Sequence, residues 1–191
     1  MQAHLSATDL SCRRGERLLF SGLQLALDSG DALHVTGPNG VGKTSLIRIL
    51  AGLTRPFVGA VERVGRVAML DERLALDTDH TLRTALQFWE RLDGVPASPG
   101  THAKLGLLPL LDIPVRYLST GQRKRAALAR MAAQGANIWL LDEPLNGLDT
   151  DAQETVAAMI AAHREAGGVC VIASHQPTGL NLSQLALEPP K

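Results

Sequence analysis

Eight consecutive residues, Gly37-Pro38-Asn39-Gly40-Val41-Gly42-Lys43-Thr44, fit the pattern G-x-x-x-x-G-K-[ST], whose glycines let successive backbone N–H groups turn toward phosphate oxygens. In that chemistry Lys43 reaches the β- and γ-phosphates of a nucleotide and the Thr44 hydroxyl takes a place on Mg²⁺, while Ser45 opens a helix whose dipole favours the same anion. The bland alternative is a glycine-rich turn that caps a helix. A second set, Asp142-Glu143, follows the apolar run Ile138-Trp139-Leu140-Leu141 and precedes Pro144. Two carboxylates at the end of a buried strand can divide labour: Asp142 orients Mg²⁺ through its water shell, and Glu143, pointing elsewhere, polarises a water against the γ-phosphate. Without the phosphate loop upstream, the same pair would read as a solvated strand end. A third set, Leu118-Ser119-Thr120-Gly121-Gln122, begins a helical run with Arg123, Lys124 and Arg125 in its opening turns. Cations there oppose the helix dipole by roughly 0.3–1 kcal/mol each, so either an anion lies nearby or they form a solvated basic face. Lastly, Ser174-His175 follows the apolar run Val169 to Ala173, where an imidazole could hydrogen-bond a γ-phosphate or be an ordinary loop histidine.

Such groups need a scaffold that gathers strand ends. Apolar alternation over His4 to Leu10 and Leu23 to Leu27, then Ala32 to Val35, predicts that the first 35 residues are mostly sheet. From Gly42 the period becomes helical through Leu46, Ile47, Ile49 and Leu50 and stops at Gly52. Val58 to Leu70 reads as short strands broken at Gly59 and Gly65, and Thr81 to Leu92 as a helix. Pro96, Pro99, Gly100, Pro109 and Pro114 then leave room for short helices only, before a longer one from Thr120 to Gln134. Ile138 to Leu141 and Val169 to Ala173 are buried-type strands around an amphipathic helix from Asp151 to Glu165, and the tail Glu188-Pro189-Pro190-Lys191 is expected to fray. The expected architecture is α/β, one domain over residues 1–191, with a helical subdomain at about 72–135 inserted in a mixed β-sheet core.

Composition agrees and narrows the classes. Over 191 residues, 19 Lys+Arg balance 19 Asp+Glu and 45% of residues are hydrophobic, which describes a soluble folded domain and excludes disorder. A chain of this length buries roughly 70% of its unfolded surface and needs no disulfides, so Cys12 and Cys170 read as two reduced thiols. Net charge zero and 3% aromatic residues argue against nucleic acid as a partner. No run approaches the length needed to span a bilayer.

In their order along the chain these segments resemble the nucleotide-binding subunits of ATP-binding-cassette (ABC) transporters, a branch of the P-loop NTPase fold. The resemblance covers nearly the whole chain: the phosphate loop Gly37 to Thr44, the signature Leu118 to Gln122, the strand Ile138 to Asp142 with Glu143, the D-loop Leu148-Asp149, and the switch histidine His175. It implies ATP and Mg²⁺ as bound groups, with Thr44 and Asp142 toward the metal and Glu143, His175 and Lys43 as catalytic residues. It further implies that Ser119, Gly121 and Gln122 of one subunit cap the ATP of a second, so that a homodimer sandwiches two nucleotides. Within the superfamily, the stretch Leu10 to Phe20, the strand Ile138 to Pro144 and the short continuation after His175 look most like the CcmA family of haem exporters in cytochrome c biogenesis. Such subunits are peripheral on the cytoplasmic face of the bacterial inner membrane and dock on integral-membrane partners.

Three positions depart from the family pattern. Arg13 and Arg14 stand where an aromatic ring usually stacks on adenine, removing or replacing a term worth roughly 1–3 kcal/mol. Asp71-Glu72-Arg73 stands where a glutamine amide is usual, and Thr120 replaces the first signature glycine, which a helical first turn accepts if φ is negative. The rival readings are an ABC subunit for another cargo, an ATP-dependent dimerisation switch that barely hydrolyses, and, with less in its favour, a DNA-repair or ribosome-acting ATPase.

Overall fold

The structure is a computed structural model that describes residues 2–72, 74–94 and 99–188. Arg73, Pro96 and the tail from Pro189, all named above, lie outside the described residues. Two long strands, β1 (His4–Arg14) and β2 (Arg17–Asp28), form a hairpin, and β4 (Val58–Val64) pairs with the other side of β1, giving an antiparallel sheet ordered β2-β1-β4. A second sheet is wholly parallel, in the order β5-β6-β7-β3-β8, from β3 (Ala32–Thr36), β5 (Val67–Leu70), β6 (Ile138–Asp142), β7 (Val169–Ala173) and β8 (Ser183–Ala186). The mixed core is thus divided between two sheets, each unmixed.

Every residue of β6 and β7 is buried, as continuous apolar runs in parallel strands demand, and alternate residues serve two cores. Ile138, Leu140, Val169 and Val171 face α1 (Lys43–Leu50) and the antiparallel sheet, in a cluster with Leu46, Ile47 and Leu5. Trp139, Leu141, Cys170 and Ile172 face the other way, in a cluster with Leu128 of α4 (Thr120–Ala133) and Val156 of α5 (Thr150–Glu165). Both cysteines are buried and free, and burial pushes the Cys170 thiol up to about 12.

Between β5 and β6 the described chain is helical: α2 (Leu82–Asp93), α3 (Pro99–Lys104), two single 3₁₀ turns at Leu108–Leu110 and Val115–Tyr117, and α4. Thr81 caps α2 by accepting from the Thr84 N–H, and the start of α2 is fastened to the later segment just before Pro114 by Leu82 N–H to the Ile113 carbonyl at 3.0 Å. Arg130 of α4 lies 3.3 Å over the Trp89 ring of α2.

One expected strand break is absent and one further strand is present. Gly59 does not break a strand but lies within β4, where pairing jumps from Thr8↔Ala60 to Ser11↔Val58; its φ of 92° and its approach to the Thr8 and Asp9 carbonyls accommodate that bulge. The strand β8 carries no strand pattern of its own: it is four mostly exposed residues, and pairing to β3 makes it a strand. No helix among the described residues is long and apolar enough to cross a membrane.

Candidate functional site

The C-terminal ends of β3 and β6 open on one cavity of about 400 Å³, the edge at which parallel α/β sheets bind ligands. The loop after β3 lines it through Asn39, Gly40, Gly42, Lys43, Thr44 and Ser45. Gly42 is the helix cap of α1 with φ 118°, and a Cβ there would press on Leu19 and Phe20 at 3.2 Å, so conformation and space both call for glycine. Val41 is buried and anchors the loop, its N–H reaching the Pro38 carbonyl at 3.3 Å. The Lys43 ammonium, on a side chain only 7% exposed, donates to the carbonyls of Gly37 at 2.8 Å and Pro38 at 3.3 Å. Those bonds hold it across the mouth of the loop.

From β6, Asp142 and Glu143 line the same cavity and differ as their positions predict. Asp142 is 2% exposed, and neither carboxyl oxygen has a hydrogen-bond partner among the described residues. Burial raises its pKa; the nearby Thr44 hydroxyl pulls the other way without forming a well-aligned bond, and Glu143, Glu72 and Asp71 raise it further. An orphaned buried carboxylate beside a threonine hydroxyl is a donor set that suits a hard divalent cation such as Mg²⁺. Glu143 instead turns to His175, whose Nδ1 lies 3.0 Å from both of its carboxylate oxygens. An ionised carboxylate only accepts, so Nδ1 carries the hydrogen there. Glu143 has φ 47°, shared among the described non-glycine residues only with Asp9, at a cost of roughly 1–3 kcal/mol.

Ser119, Gly121 and Gln122 do not line this cavity. Ser119 caps α4: Gln122 N–H donates to its Oγ at 3.2 Å, and the Gln122 amide oxygen accepts from the Ser119 N–H at 2.8 Å. A Cβ on Gly121 would lie 2.7 Å from the Gly147 carbonyl, so this turn packs closely on the loop before α5. Thr120 has no positive φ, consistent with its helical place. The D-loop Asp149 caps α5 through the Ala152 N–H at 2.9 Å.

Four features of the neighbourhood refine the sequence reading. Arg13 does not face the cavity; it lies over the Phe57 ring at 4.5 Å, while Arg14 and its hairpin partner Arg17 line the cavity. Glu72, within the Asp71-Glu72-Arg73 stretch where a glutamine is usual, lines it as well. Lys124 is no solvated face: it is 7% exposed and donates to the Glu143 carbonyl at 2.6 Å. Arg17 carried no signal of its own, although the Arg14-Gly15-Glu16-Arg17 turn of an alternating hairpin places residues 14 and 17 side by side.

A family model described as ABC transporter matches residues 20–146. A cytochrome c biogenesis ATP-binding export protein CcmA from Novosphingobium aromaticivorans is 60% identical over 178 residues, covering 92% of this chain and 91% of that protein. The chain belongs to the ABC transporter ATP-binding proteins and, within them, to the CcmA family. The protein of the same name from Zymomonas mobilis is 50% identical over 182 residues, covering 95% of this chain and 81% of that one. A solved ATP-binding subunit of an ABC transporter superposes with a TM-score of 0.82 at 21% identity over 90% of this chain and 79% of that chain, a likeness that carries the fold alone. As a member of the family the chain is an ATP-binding, ATP-hydrolysing subunit of an ABC transporter, and the α/β architecture is that of its P-loop ATPase domains.

Proposed function

We propose that this chain energises haem export for cytochrome c biogenesis as a peripheral subunit on the cytoplasmic face of the bacterial inner membrane, one ATP-binding domain over residues 1–191 with a helical subdomain at about 72–135. The observation that carries the reading is the meeting of Lys43, Asp142 and Glu143 at one cavity in a chain 60% identical to a protein named for cytochrome c biogenesis export. Phosphoryl transfer to water asks the protein mainly for positioning and charge. The loop N–H groups and Lys43 hold the β- and γ-phosphates; Thr44 and Asp142 would hold Mg²⁺, which when bound neutralises charge on the phosphate oxygens. Glu143 accepts the proton of the attacking water, and the His175 Nδ1–H fixes its carboxylate. Ser119 Oγ accepts from Gln122 within the cap, which leaves its hydroxyl hydrogen for a phosphate; exposed and outside its own cavity, it serves the nucleotide of a second copy.

For the integral-membrane partners the surface that fits is an apolar groove of about 790 Å³ along α2, where Phe88 and Leu92 stand 58% and 65% exposed. It begins at Leu74, two residues beyond Glu72 in the nucleotide cavity. The test is genetic and biochemical. Cells lacking the chain should fail to attach haem to c-type cytochromes, wild type but not Glu143→Gln should restore it, and tagged chain should bring haem-handling membrane subunits out of membranes. Normal cytochromes with loss of another export would assign a different cargo. A second reading, a dimerisation switch with little turnover, is favoured by Asp71-Glu72-Arg73 standing where a glutamine amide is usual, and steady-state ATPase measurement separates it from the first.

A further inference from the structure

The basic residues that open α4 are the part of the sequence the ATP site leaves unexplained. Arg125 donates to the Leu105 carbonyl at 2.9 Å and ties α4 to the segment after α3. Lys124 runs the opposite way, into the protein, and its ammonium donates to the main-chain oxygen of Glu143 at 2.6 Å. A buried ammonium persists only where charge and hydrogen bonds compensate its lost water. Here burial lowers its pKa, while the carboxylates of Glu143, Glu72 and Asp142 favour its charge.

The atom it holds belongs to a strained residue. Glu143 sits at φ 47°, a left-handed conformation that a side chain with a Cβ leaves unless its surroundings retain it. Its peptide groups are held at three contacts: its N–H donates to the Ala173 carbonyl of β7 at 2.8 Å, and its carbonyl accepts from Lys124 of α4 at 2.6 Å and, less closely, from the Asn146 N–H at 3.3 Å. Losing the Lys124 bond would leave that carbonyl with the longer Asn146 contact alone, which would let the backbone relax toward ordinary φ and swing the carboxylate off the His175 Nδ1.

We propose that Lys124 is a positioning residue for hydrolysis: by holding the Glu143 carbonyl it locks the backbone that aims the Glu143 carboxylate at His175 and the phosphate cavity. It does so from the helix whose first turn carries Ser119 and Gly121, so a load placed on that turn by another subunit's nucleotide is transmitted to this subunit's own glutamate. The proposal rests on the reading of Glu143 as the residue that handles the attacking water.

Lys124→Met, Lys124→Arg and Lys124→Gln, with Glu143→Gln and the Lys124→Met/Glu143→Gln double variant, test it by steady-state ATPase and by ATP binding. Lys124→Met should lower kcat about 10- to 100-fold with KM and ATP affinity within about threefold of wild type, and Lys124→Arg, which still reaches the carbonyl, should stay within about fivefold. In the Glu143→Gln background Lys124→Met should cost nothing further, since one residue acts through the other. Turnover of Lys124→Met within about twofold of wild type, equal losses in binding and turnover, or an additive loss in the double variant would each overturn the proposal. Should Lys124→Met not fold, the other two decide: Lys124→Gln is too short to reach and should lose at least about tenfold in kcat relative to Lys124→Arg at unchanged KM, and equal turnover in the two rejects it. Glu143→Gln with full turnover sinks the general-base reading itself, whereas an inactive Glu143→Gln beside a fully active Lys124→Met sinks only the role of Lys124.

Discussion

Glu143 and Lys43 share one cavity and should fail differently when replaced. Glu143→Gln keeps shape and removes the proton acceptor, so ATPase turnover should drop by about 10² to 10⁴ while nucleotide titration shows binding retained. Lys43→Ala removes a cation that the loop itself holds in place, and the same titration should show affinity falling along with turnover. At the base-binding end, Arg14 and Arg17 line the cavity and Arg13 is committed to Phe57, so no aromatic ring from this hairpin is offered to adenine. Competition binding should find ATP preferred over GTP by less than about 100-fold, roughly 2.7 kcal/mol; a larger preference would mean an adenine contact elsewhere. Lys43, Thr44, Asp142 and Glu143 were legible in the sequence because local spacing alone puts them at strand ends and a helix start. Lys124 was not: its burial depends on how α4 docks against the end of β6, a relation between segments 19 residues apart that no periodicity encodes.

The strands and helices with strong patterns follow the sequence closely. Val169–Ala173 is a strand over the expected residues, and α2 and α4 begin at or one residue after their expected starts because Thr81 and Ser119 cap them. What the pattern missed, Gly59 inside β4 and the short β8, is set by pairing with distant strands. The junction of α5 with β7 carries a prediction of its own. His163 stacks on Trp139 at 3.9 Å and 8°, with its Nε2 at 3.3 Å from the Val169 carbonyl. Burial lowers its pKa, against the opposing effect of the Val169 and Asn137 carbonyls. A histidine whose folded pKa is depressed stabilises the fold fully above its unfolded value near 6.5 and loses that contribution as pH falls through the folded pKa. Thermal unfolding followed by circular dichroism should therefore show Tm falling as pH drops below about 6.5, with a shallower fall in His163→Gln. Equal slopes in the two proteins would assign the pH dependence to other groups.

The whole molecule presents two working surfaces that its own fold leaves uncovered, the signature turn and the α2 groove. If Ser119 closes on a second copy's nucleotide, Glu143→Gln protein should dimerise with ATP and Mg²⁺ and stay largely monomeric without nucleotide, as read by analytical ultracentrifugation. Ser119→Arg added to that protein should abolish the dimer, because the new side chain fills the space between the turn and the phosphates; a dimer that persists, or forms without ATP, rejects the shared site. On the groove, Phe88→Glu with Leu92→Glu should end co-purification with membrane subunits yet leave nucleotide binding intact, since both side chains are exposed and neither lines the nucleotide cavity. Unchanged co-purification would place the membrane contact on another face.

The strand that presents the phosphate loop, β3, is made early in synthesis, yet both of its neighbours, β7 and β8, are made late. Val35 pairs with Ala173, ~140 residues further along, which a ribosome adding ~5–20 residues per second reaches on the order of ten seconds later. The β1–β2 hairpin can close long before that, and β4 can join it, so the antiparallel sheet is assembled while β3 still lacks both partners. The geometry that grips a nucleotide is therefore the last to be acquired by the nascent chain. A chain halted before β7 would carry the three-stranded antiparallel sheet, but the strand that presents its phosphate loop would lack both of its neighbours.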